Sequence, residues 1–393
     1  CQAYSLIGRS KRSQQQEKGT YSPEEDHRNY LYEWYLNILP EFKPAVFIME
    51  NVPGILSSKI NGEYIFDKII NDLQSPKTKN GRVVKYKLFP LVEPEQEDLF
   101  QKGRATDFRI KSERYGVGQS RKRVIILGVR ENFSDIDHIP YLADMNKLIC
   151  ASDVINDLPK LRSGISKIDR KKVTDSCSLW KEQLDKGWLS LTRGASREIR
   201  GEINRVRKII KKENYLDDRG DFYVPCLKYG KKKKSQLPKD LFSWYVDKKL
   251  DGYLNHESRS HMDTDLKRYL FNIIYSDIKG KSPLLTDYPE RLLPEHKNTK
   301  SGNHKDRFRT VLQNLPGKTI TSHISKDGHA YIHYDPKQCR SLTVREAARI
   351  QSFPDNYYFC GNRTQQYHQV GNAVPPYLAF QIADIVNYII IEA

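Results

Sequence analysis

The chain has 393 residues, enough for two domains of ordinary size, and its hydrophobic fraction of 38% is sufficient for packed cores. Lysine and arginine number 66 against 49 acidic residues, a net charge of +17 that suits a polyanionic partner or simply a basic soluble protein. No stretch approaches the roughly 20 apolar residues of a membrane span and no signal peptide is recognisable, so we expect a cytoplasmic protein, nucleoid-associated if prokaryotic.

The first 130 residues have the pattern of an α/β fold. A helix is predicted from Asp26 to Leu39, ending at Pro40, and a second amphipathic helix over 65–73. The run 45–49 is apolar on both faces, which is typical of a central parallel strand covered by helices. Residues 124–127 predict a second buried strand.

From about residue 160 the chain becomes basic and irregular, with the lysine run Lys231, Lys232, Lys233 and Lys234. Regular patterning returns near the end. Thr343 and Glu346 have capping-box spacing, which predicts a helix that stops before Pro354. Pro375 and Pro376 then open a final helix. Its predicted apolar face comprises Leu378, Ala379, Ile382, Val386 and Ile389.

Four short segments carry candidate chemistry. Glu50 and Asn51 follow directly on the first buried strand, and a Pro-Gly turn comes next. Cys1 is flanked by polar residues and by Arg9, surroundings that favour a thiolate. Arg121 and Arg123 alternate at the entrance to the second strand and would share one face of it. Gln369 to Pro376 reads as a tight turn into the last helix.

No metal site is predicted. The six cysteines form no C-x-x-C pair, which indicates reduced thiols. Asn255, His256, Glu257 and His261 lack a matching ligand set, so we interpret them as hydrogen-bonded structural residues.

These segments, in this order, resemble the DNA cytosine-5 methyltransferase family. That family shows Pro-Cys-Gln, Glu-Asn-Val and Gln-x-Arg-x-Arg, then a variable recognition region, an Arg-x-Leu-Thr-x-Arg-Glu-x-Ala-Arg helix and Gly-Asn-x-Val-Pro. The matching segments here are Cys1–Gln2, Glu50–Val52, Gln119–Arg123, Arg340–Arg349 and Gly371–Pro375. The resemblance covers roughly residues 1–130 and 320–393, and the middle matches by position only.

The resemblance implies a Rossmann-like S-adenosylmethionine-dependent methyltransferase sheet plus a smaller, irregular target-recognition domain. We expect the catalytic core over 1–160, the recognition domain over 161–338, and over 339–393 a recognition-domain helix with a return helix that packs on the core. The partner would be double-stranded DNA, methylated at a specific sequence as in restriction–modification.

The resemblance also assigns roles to residues. Cys1 would add to carbon 6 of a flipped cytosine, Glu50 would protonate ring nitrogen 3, and Asn51 would help fix the base. Arg121 or Arg123 would hold the carbonyl oxygen or a phosphate. The edge of the cofactor pocket would comprise Asn372, Ala373 and Val374. The residues expected to contact DNA are Gln2, Ser5, Arg9 and the lysines 231–234, although a solvated loop explains those lysines equally well.

Two family features are missing: the Phe-x-Gly-x-Gly loop of the first strand–turn–helix, and the acidic residue that binds the cofactor ribose. The proline before the cysteine is missing too. We therefore expect an incomplete sheet. Three explanations are open. The chain would be part of a longer protein, which we favour, one subunit of a split enzyme, or a degenerate DNA-binding remnant. The rival functions are an inactive DNA-binding subunit, disfavoured by the retained thiol and acid, and a tRNA cytosine methyltransferase.

Overall fold

The computed structural model of the chain describes residues 4, 30–60, 62–78, 80–93, 105–133, 138–212, 218–230, 237–295 and 306–392. The chain divides into two compact units. Unit 1 comprises Cys1–Tyr115, Arg121–Asn146 and Leu378–Ala393, and unit 2 comprises Gly116–Ser120 and Lys147–Tyr377. The assignment of catalytic and recognition segments along the chain stays a prediction.

Both units contain helices and strands. The helices of the described residues are α1 (Leu31–Phe42), α2 (Ile65–Gln74), α3 (Ala151–Ile155), α4 (Cys177–Asp185), α5 (Trp188–Leu191), α6 (Arg197–Lys212), α7 (Lys239–Tyr245), α8 (Asp263–Lys279), α9 (Val344–Ile350), α10 (Arg363–Asn372) and α11 (Pro376–Glu392). The strands are β1 (Val46–Asn51), β2 (Lys59–Ile60), β3 (Glu63–Tyr64), β4 (Tyr86–Phe89), β5 (Arg109–Lys111), β6 (Gln119–Ser120), β7 (Lys122–Arg130), β8 (Gly164–Ile168), β9 (Lys171–Lys172), β10 (Gly220–Pro225), β11 (Gly252–Glu257), β12 (Ser260–Met262) and β13 (Gly317–Lys318). The mixed α/β class that we predicted is confirmed, whereas the incompleteness of its sheet stays a prediction.

The sheet of unit 1 is built on β7. This strand pairs antiparallel with β1 along one edge, and with β4 and β5 along the other edge. The predicted second buried strand is confirmed, because Val124 to Leu127 are at most 2% exposed. β7 is long enough, at nine residues, to hold two shorter strands end to end.

The direction of β1 was predicted wrongly. We expected a parallel strand, but its described partner β7 runs antiparallel to it. A run that is apolar on both faces shows that the two faces of a sheet are covered, and it carries no information on strand direction. The antiparallel pairing sets the end of β1 against the beginning of β7, with Asn51 opposite Val124.

The apolar face predicted for α2 is largely confirmed, whereas the face predicted for α1 is mostly wrong. Of the four residues of the α1 face only Leu39 is buried and Tyr35 is half-buried, while Leu31 and Ile38 are exposed. α2 buries Ile65, Phe66, Ile69 and Leu73, as predicted, while Ile70 of the same predicted face is half-buried.

α1 continues through Pro40 to Phe42, three residues beyond Leu39, the last residue of the predicted helix. Proline is tolerated there because only one helical hydrogen bond is lost in the last turn, and Lys43 then leaves the helix in a left-handed conformation. α11 buries Ile385, with Leu378, Ile382 and Ile389, while Ala379 is exposed.

Unit 2 contains two hydrophobic clusters. One includes buried residues of α3, α7, α9 and α10. The other joins α4, α6 and α8, where α6 contributes Ile199, Ile203, Val206 and Ile210. The small sheets of this unit pair β10 with β11, β8 with both β9 and β12, and β6 with β13.

Three fully buried arginines lie on α9 or shortly before it. Arg340 forms two charge-assisted hydrogen bonds of 2.6 Å with Glu346. Arg349 bonds Asp355, and Arg345 donates to three backbone carbonyls. The predicted capping box is confirmed: the Thr343 hydroxyl accepts from the Glu346 amide, and Glu346 accepts from the Thr343 amide at 2.8 Å.

Among the described residues no single helix is long and apolar enough to cross a membrane. The pair α10 and α11, bent by 41°, reaches that length and composition only when the two are taken together.

His256 is completely buried and hydrogen-bonded through both ring nitrogens. Its Nε2 lies 2.9 Å from the carbonyl oxygen of Pro159, and its Nδ1 lies 3.0 Å from the Thr343 hydroxyl. A carbonyl only accepts, so Nε2 carries the proton and Nδ1 accepts from the hydroxyl. Burial lowers the pKa of His256 to about 4. Asn255 pairs its side-chain amide with the backbone of Phe359.

We expect the protein to lose stability as the pH falls from about 6.5 to about 4. Unfolded histidine takes up a proton near pH 6.5, whereas folded His256 resists protonation until about pH 4. The stabilisation is therefore complete above pH 6.5 and decreases below it, by on the order of 3 kcal/mol in total. His256→Gln should reduce the slope of the thermal midpoint against pH in this window without removing it, because burial also lowers the pKa of His333 to about 4. His368→Gln, at an exposed site, should leave the wild-type slope. Equal slopes for wild type and His256→Gln would contradict this reading.

Candidate active site

The end of β1 and the beginning of β7 bring a carboxylate and a guanidinium together. Glu50 stands opposite Ile125, and Arg123 lies two residues before Ile125 on the same face of the sheet. Arg123 Nε lies 2.7 Å from Glu50 Oε1, with side chains 12% and 23% exposed. Burial lowers the pKa of Arg123 and the Glu50 charge opposes that fall. The result is a fixed ion pair that remains partly open to solvent.

Asn51 is the last residue of β1 and is buried. Its side-chain oxygen accepts a hydrogen bond of 2.9 Å from the Val52 amide. A short 3-10 turn, Pro53–Ser57, follows directly. The bond holds the chain where it leaves the sheet, beside Glu50.

We predicted that Arg121 and Arg123 would share one face if the strand began at Arg121, and this condition is not met. β7 begins at Lys122, so Arg121 lies in the link between β6 and β7, and its side chain is 2% exposed. Its backbone is fixed from Ser112 and Glu113: the carbonyl accepts from the Ser112 amide and hydroxyl, and the amide donates to Glu113 Oε2 at 3.2 Å. Arg123 therefore pairs with Glu50 from the strand, while Arg121 is buried before it.

The segment of the predicted cofactor edge lies in unit 2, between two helices. The tight turn predicted over Gln369 to Pro376 is only partly confirmed. α10 continues to Asn372, and the break between the helices is confined to Ala373, Val374 and Pro375. Asn372 is exposed, whereas Ala373 and Val374 are half-buried. Position 371 requires a glycine because the helix packs closely on a neighbouring backbone. A Cβ there would lie 2.4 Å from the backbone nitrogen of Ser322.

A chain of amide hydrogen bonds inside unit 2 joins two of the sequence motifs through a glutamine that belongs to neither. Gln119, fully buried, donates to Gln351 and accepts from the Ile320 amide at 2.6 Å. Gln351, also fully buried, donates to the carbonyl of Ala373 at 2.6 Å. We did not select either glutamine as a site residue. Gln119 stood in a motif, but nothing in the sequence separates Gln351 from a surface glutamine.

Several predicted residues lie outside the described residues: Cys1, Gln2, Ser5, Arg9 and the run from Lys231 to Lys234. Tyr4, within the first segment, is buried in the core of unit 1 with β1 and β7 residues. Unit 1 thus contains Glu50, Asn51, Arg121 and Arg123, and unit 2 contains the 372–374 segment. The described part of the chain holds no group of three residues with the donors for a metal ion.

The chain is similar to known proteins over nearly its whole length. The family model for C-5 cytosine-specific DNA methylase matches residues 1–84 and 109–387. Type II methyltransferase M.Bpa9945I of Bacillus paralicheniformis is 33% identical over 392 residues, covering 99% of this chain and 69% of that protein. Type II methyltransferase M.AgeI of Thalassovita gelatinovora is 26% identical over 407 residues, covering 98% and 81%. A solved structure of a prophage-encoded DNA modification methyltransferase (E. coli) aligns with 92% of this chain and 75% of its own, at 19% identity and a TM-score of 0.45.

We expect Gly371→Ala to destabilise the protein by about 1–3 kcal/mol, because the new methyl group would press on the backbone of Thr321 and Ser322. Gly201→Ala is the matched control. Gly201 also lies in a helix, and a Cβ there meets nothing within 4 Å. That change should be neutral or slightly stabilising, since alanine is the better helix former. Thermal unfolding of the two variants makes the comparison, and an unchanged midpoint for Gly371→Ala would refute the close contact.

Proposed function

The chain belongs to the C-5 cytosine-specific DNA methylase family, and on that basis we propose that it transfers a methyl group from S-adenosylmethionine to carbon 5 of cytosine within a specific sequence of double-stranded DNA. The observation that carries the chemistry is the Glu50–Arg123 pair at the meeting ends of β1 and β7. The two relatives named above are type II methyltransferases, and we propose the same restriction–modification setting here.

Cys1 is the nucleophile in this proposal. Its thiolate adds to carbon 6 of a cytosine flipped out of the duplex, and a proton at ring nitrogen 3 neutralises the electron pair displaced into the ring. Carbon 5 becomes nucleophilic and accepts the methyl group, whose bond to the sulfonium sulfur breaks with the electron pair left on that sulfur. A base then removes the carbon 5 proton, and ring nitrogen 3 gives back its proton. The bond between carbon 6 and the sulfur of Cys1 breaks, which restores the thiolate and the aromatic base.

Glu50 and Arg123 are suited to neighbouring atoms of the base. Arg123 Nε faces Glu50 and its Nη1 donates to the Lys122 carbonyl at 2.7 Å, while its Nη2 has no hydrogen-bond partner among the described residues. We assign Nη2 to the cytosine carbonyl oxygen and the Glu50 carboxyl to ring nitrogen 3, which is bonded to the same carbon as that oxygen. The ion pair orients the carboxyl, and Asn51 holds the strand end from which it projects.

The 372–374 segment fits one edge of the cofactor. An exposed amide at Asn372 beside the half-buried Ala373 and Val374 offers polar and apolar contacts for a nucleoside. When bound, S-adenosylmethionine supplies the electrophilic methyl group. The residues of this chain position that edge: Gln351 fixes the Ala373 carbonyl, and Gly371 lets α10 approach the backbone at Ser322. A further amino-terminal segment or second subunit that completes the site stays a prediction.

Loss of the thiol tests the covalent mechanism. In the full-length protein, Cys1→Ser should abolish methylation and leave DNA binding intact, because a hydroxyl is a poor nucleophile at neutral pH. A duplex that carries 5-fluorocytosine should trap a covalent adduct in the wild type, since fluorine cannot be removed as the proton is. Cys360→Ser, at an exposed cysteine, is the control and should trap the adduct normally. Turnover by Cys1→Ser at the wild-type rate would reject the covalent route.

Glu50→Gln should lower kcat by about 10²–10⁴-fold with a much smaller change in S-adenosylmethionine affinity. The amide preserves the shape of the carboxyl but cannot deliver a proton. Glu41→Gln, an exposed site on α1, should change neither quantity. The change also removes the charge that pairs with Arg123. Thermal melts therefore distinguish a loss of catalysis from a loss of folding. Parallel losses of kcat, cofactor affinity and stability would instead make Glu50 a structural residue.

A further inference from the structure

Four arginines line one cleft of unit 2. Arg193 precedes α6, Arg200 and Arg207 lie on α6, and Arg291 lies in the turn after α8. One acid, Asp185 at the end of α4, shares the cleft. We refer to Arg193, Arg200, Arg207 and Arg291 as the arginine cleft.

The charges of the cleft are poorly compensated. Asp185 pairs with Arg207 at 2.8 Å and with Lys211, outside the lining, at 3.7 Å. Arg193, Arg200 and Arg291 are exposed, and within the described part of the chain they have no ion-pair partner. Arg205, on another part of α6, is compensated in the ordinary way: it donates two hydrogen bonds to the Glu202 carboxylate.

The supports of the cleft are rigid. α6 is anchored by four buried aliphatic side chains, and α5 by the buried indole of Trp188, which donates to the Leu184 carbonyl at 2.6 Å. The turn that carries Arg291 is held from α8, where Arg268 donates to the carbonyls of Leu292 and Leu293. Arginines on fixed backbones lose less conformational freedom when they bind an anion.

The spacing suits a linear polyanion. Arg200 and Arg207 are seven residues apart, two helical turns, which separates them by about 10 Å along one face of α6. That distance is well above the axial rise of about 3.4 Å between successive phosphates of a DNA strand, so the two arginines would contact different phosphates. The planar guanidinium donates two parallel hydrogen bonds to a phosphate, which favours arginine at such contacts.

We propose that the arginine cleft binds the phosphodiester backbone of duplex DNA. This inference rests on the proposed function and adds a surface to it, built from described residues and independent of the lysine run at 231–234. Contacts to phosphate position the duplex and carry no sequence information. The cleft therefore contributes equally to cognate and non-cognate DNA, while sequence is read elsewhere.

The test compares DNA affinity against salt for the full-length protein and two variants. Arg193→Ala/Arg200→Ala/Arg291→Ala should lower the slope of log K against log salt by up to about 2.7, or 0.9 for each lost phosphate contact. Between 50 and 200 mM salt the wild type should then lose roughly 40-fold more affinity than the triple variant. The preference for cognate over non-cognate duplex should not change. A thermal melt checks that the triple variant is folded.

Single variants provide the matched control. Arg200→Ala should lower the slope by about 0.9, whereas Arg205→Ala, with the same charge change on the same helix, should leave it unchanged. Equal slopes for the wild type and the triple variant, or a loss confined to cognate DNA, would overturn the arginine cleft and leave the proposed function standing. A wild-type protein without salt-dependent DNA binding would overturn both. The assay needs neither cofactor nor turnover, so it is independent of the 5-fluorocytosine adduct.

Discussion

The buried ion pair between Arg340 and Glu346 is the interaction on which the architecture of unit 2 depends. Burial alone would raise the pKa of Glu346, but Arg340 and His333 outweigh that and hold it well below its usual range. The pair connects distant parts of the chain, because Glu346 caps α9 by accepting from the Thr343 amide and Arg340 donates to the carbonyl of Leu161. Removal of either charge would leave the other buried and uncompensated, at a cost of about 3–5 kcal/mol.

The helix that this pair caps also positions the candidate cofactor edge. α9 ends at Ile350, and the next residue, Gln351, links Gln119 to Ala373. A primary amide both donates and accepts, so two glutamines in series transmit position without any charge. One five-residue motif therefore contributes to both units: Gln119 to the hydrogen-bond chain of unit 2, and Arg123 to the ion pair of unit 1.

The sequence predicted features that depend on local pattern. The buried strand at 124–127, the α2 face and the Thr343 capping box follow from periodicity and spacing, and they are confirmed. Strand direction could not be predicted, because coverage of both faces is shared by parallel and antiparallel strands. Gln351 was missed since its role depends on burial and on partners 232 and 22 residues away. The ordered motifs gave the family, while the positions of Cys1 and of the lysine run stay outside the described residues.

Two arginine–glutamate pairs in this chain differ in how much hydrogen-bonding capacity folding leaves unused. Arg340 has five N–H donors and makes five hydrogen bonds, in a pair with side chains 0% and 1% exposed. No donor remains for a ligand, so the pair only fixes the fold. Arg123 faces Glu50 with one nitrogen and the Lys122 carbonyl with another, and the pair stays 12% and 23% exposed. The open side and the remaining donor make the second pair suitable for a base that enters and leaves, because its arginine has hydrogen-bonding capacity that folding has not used.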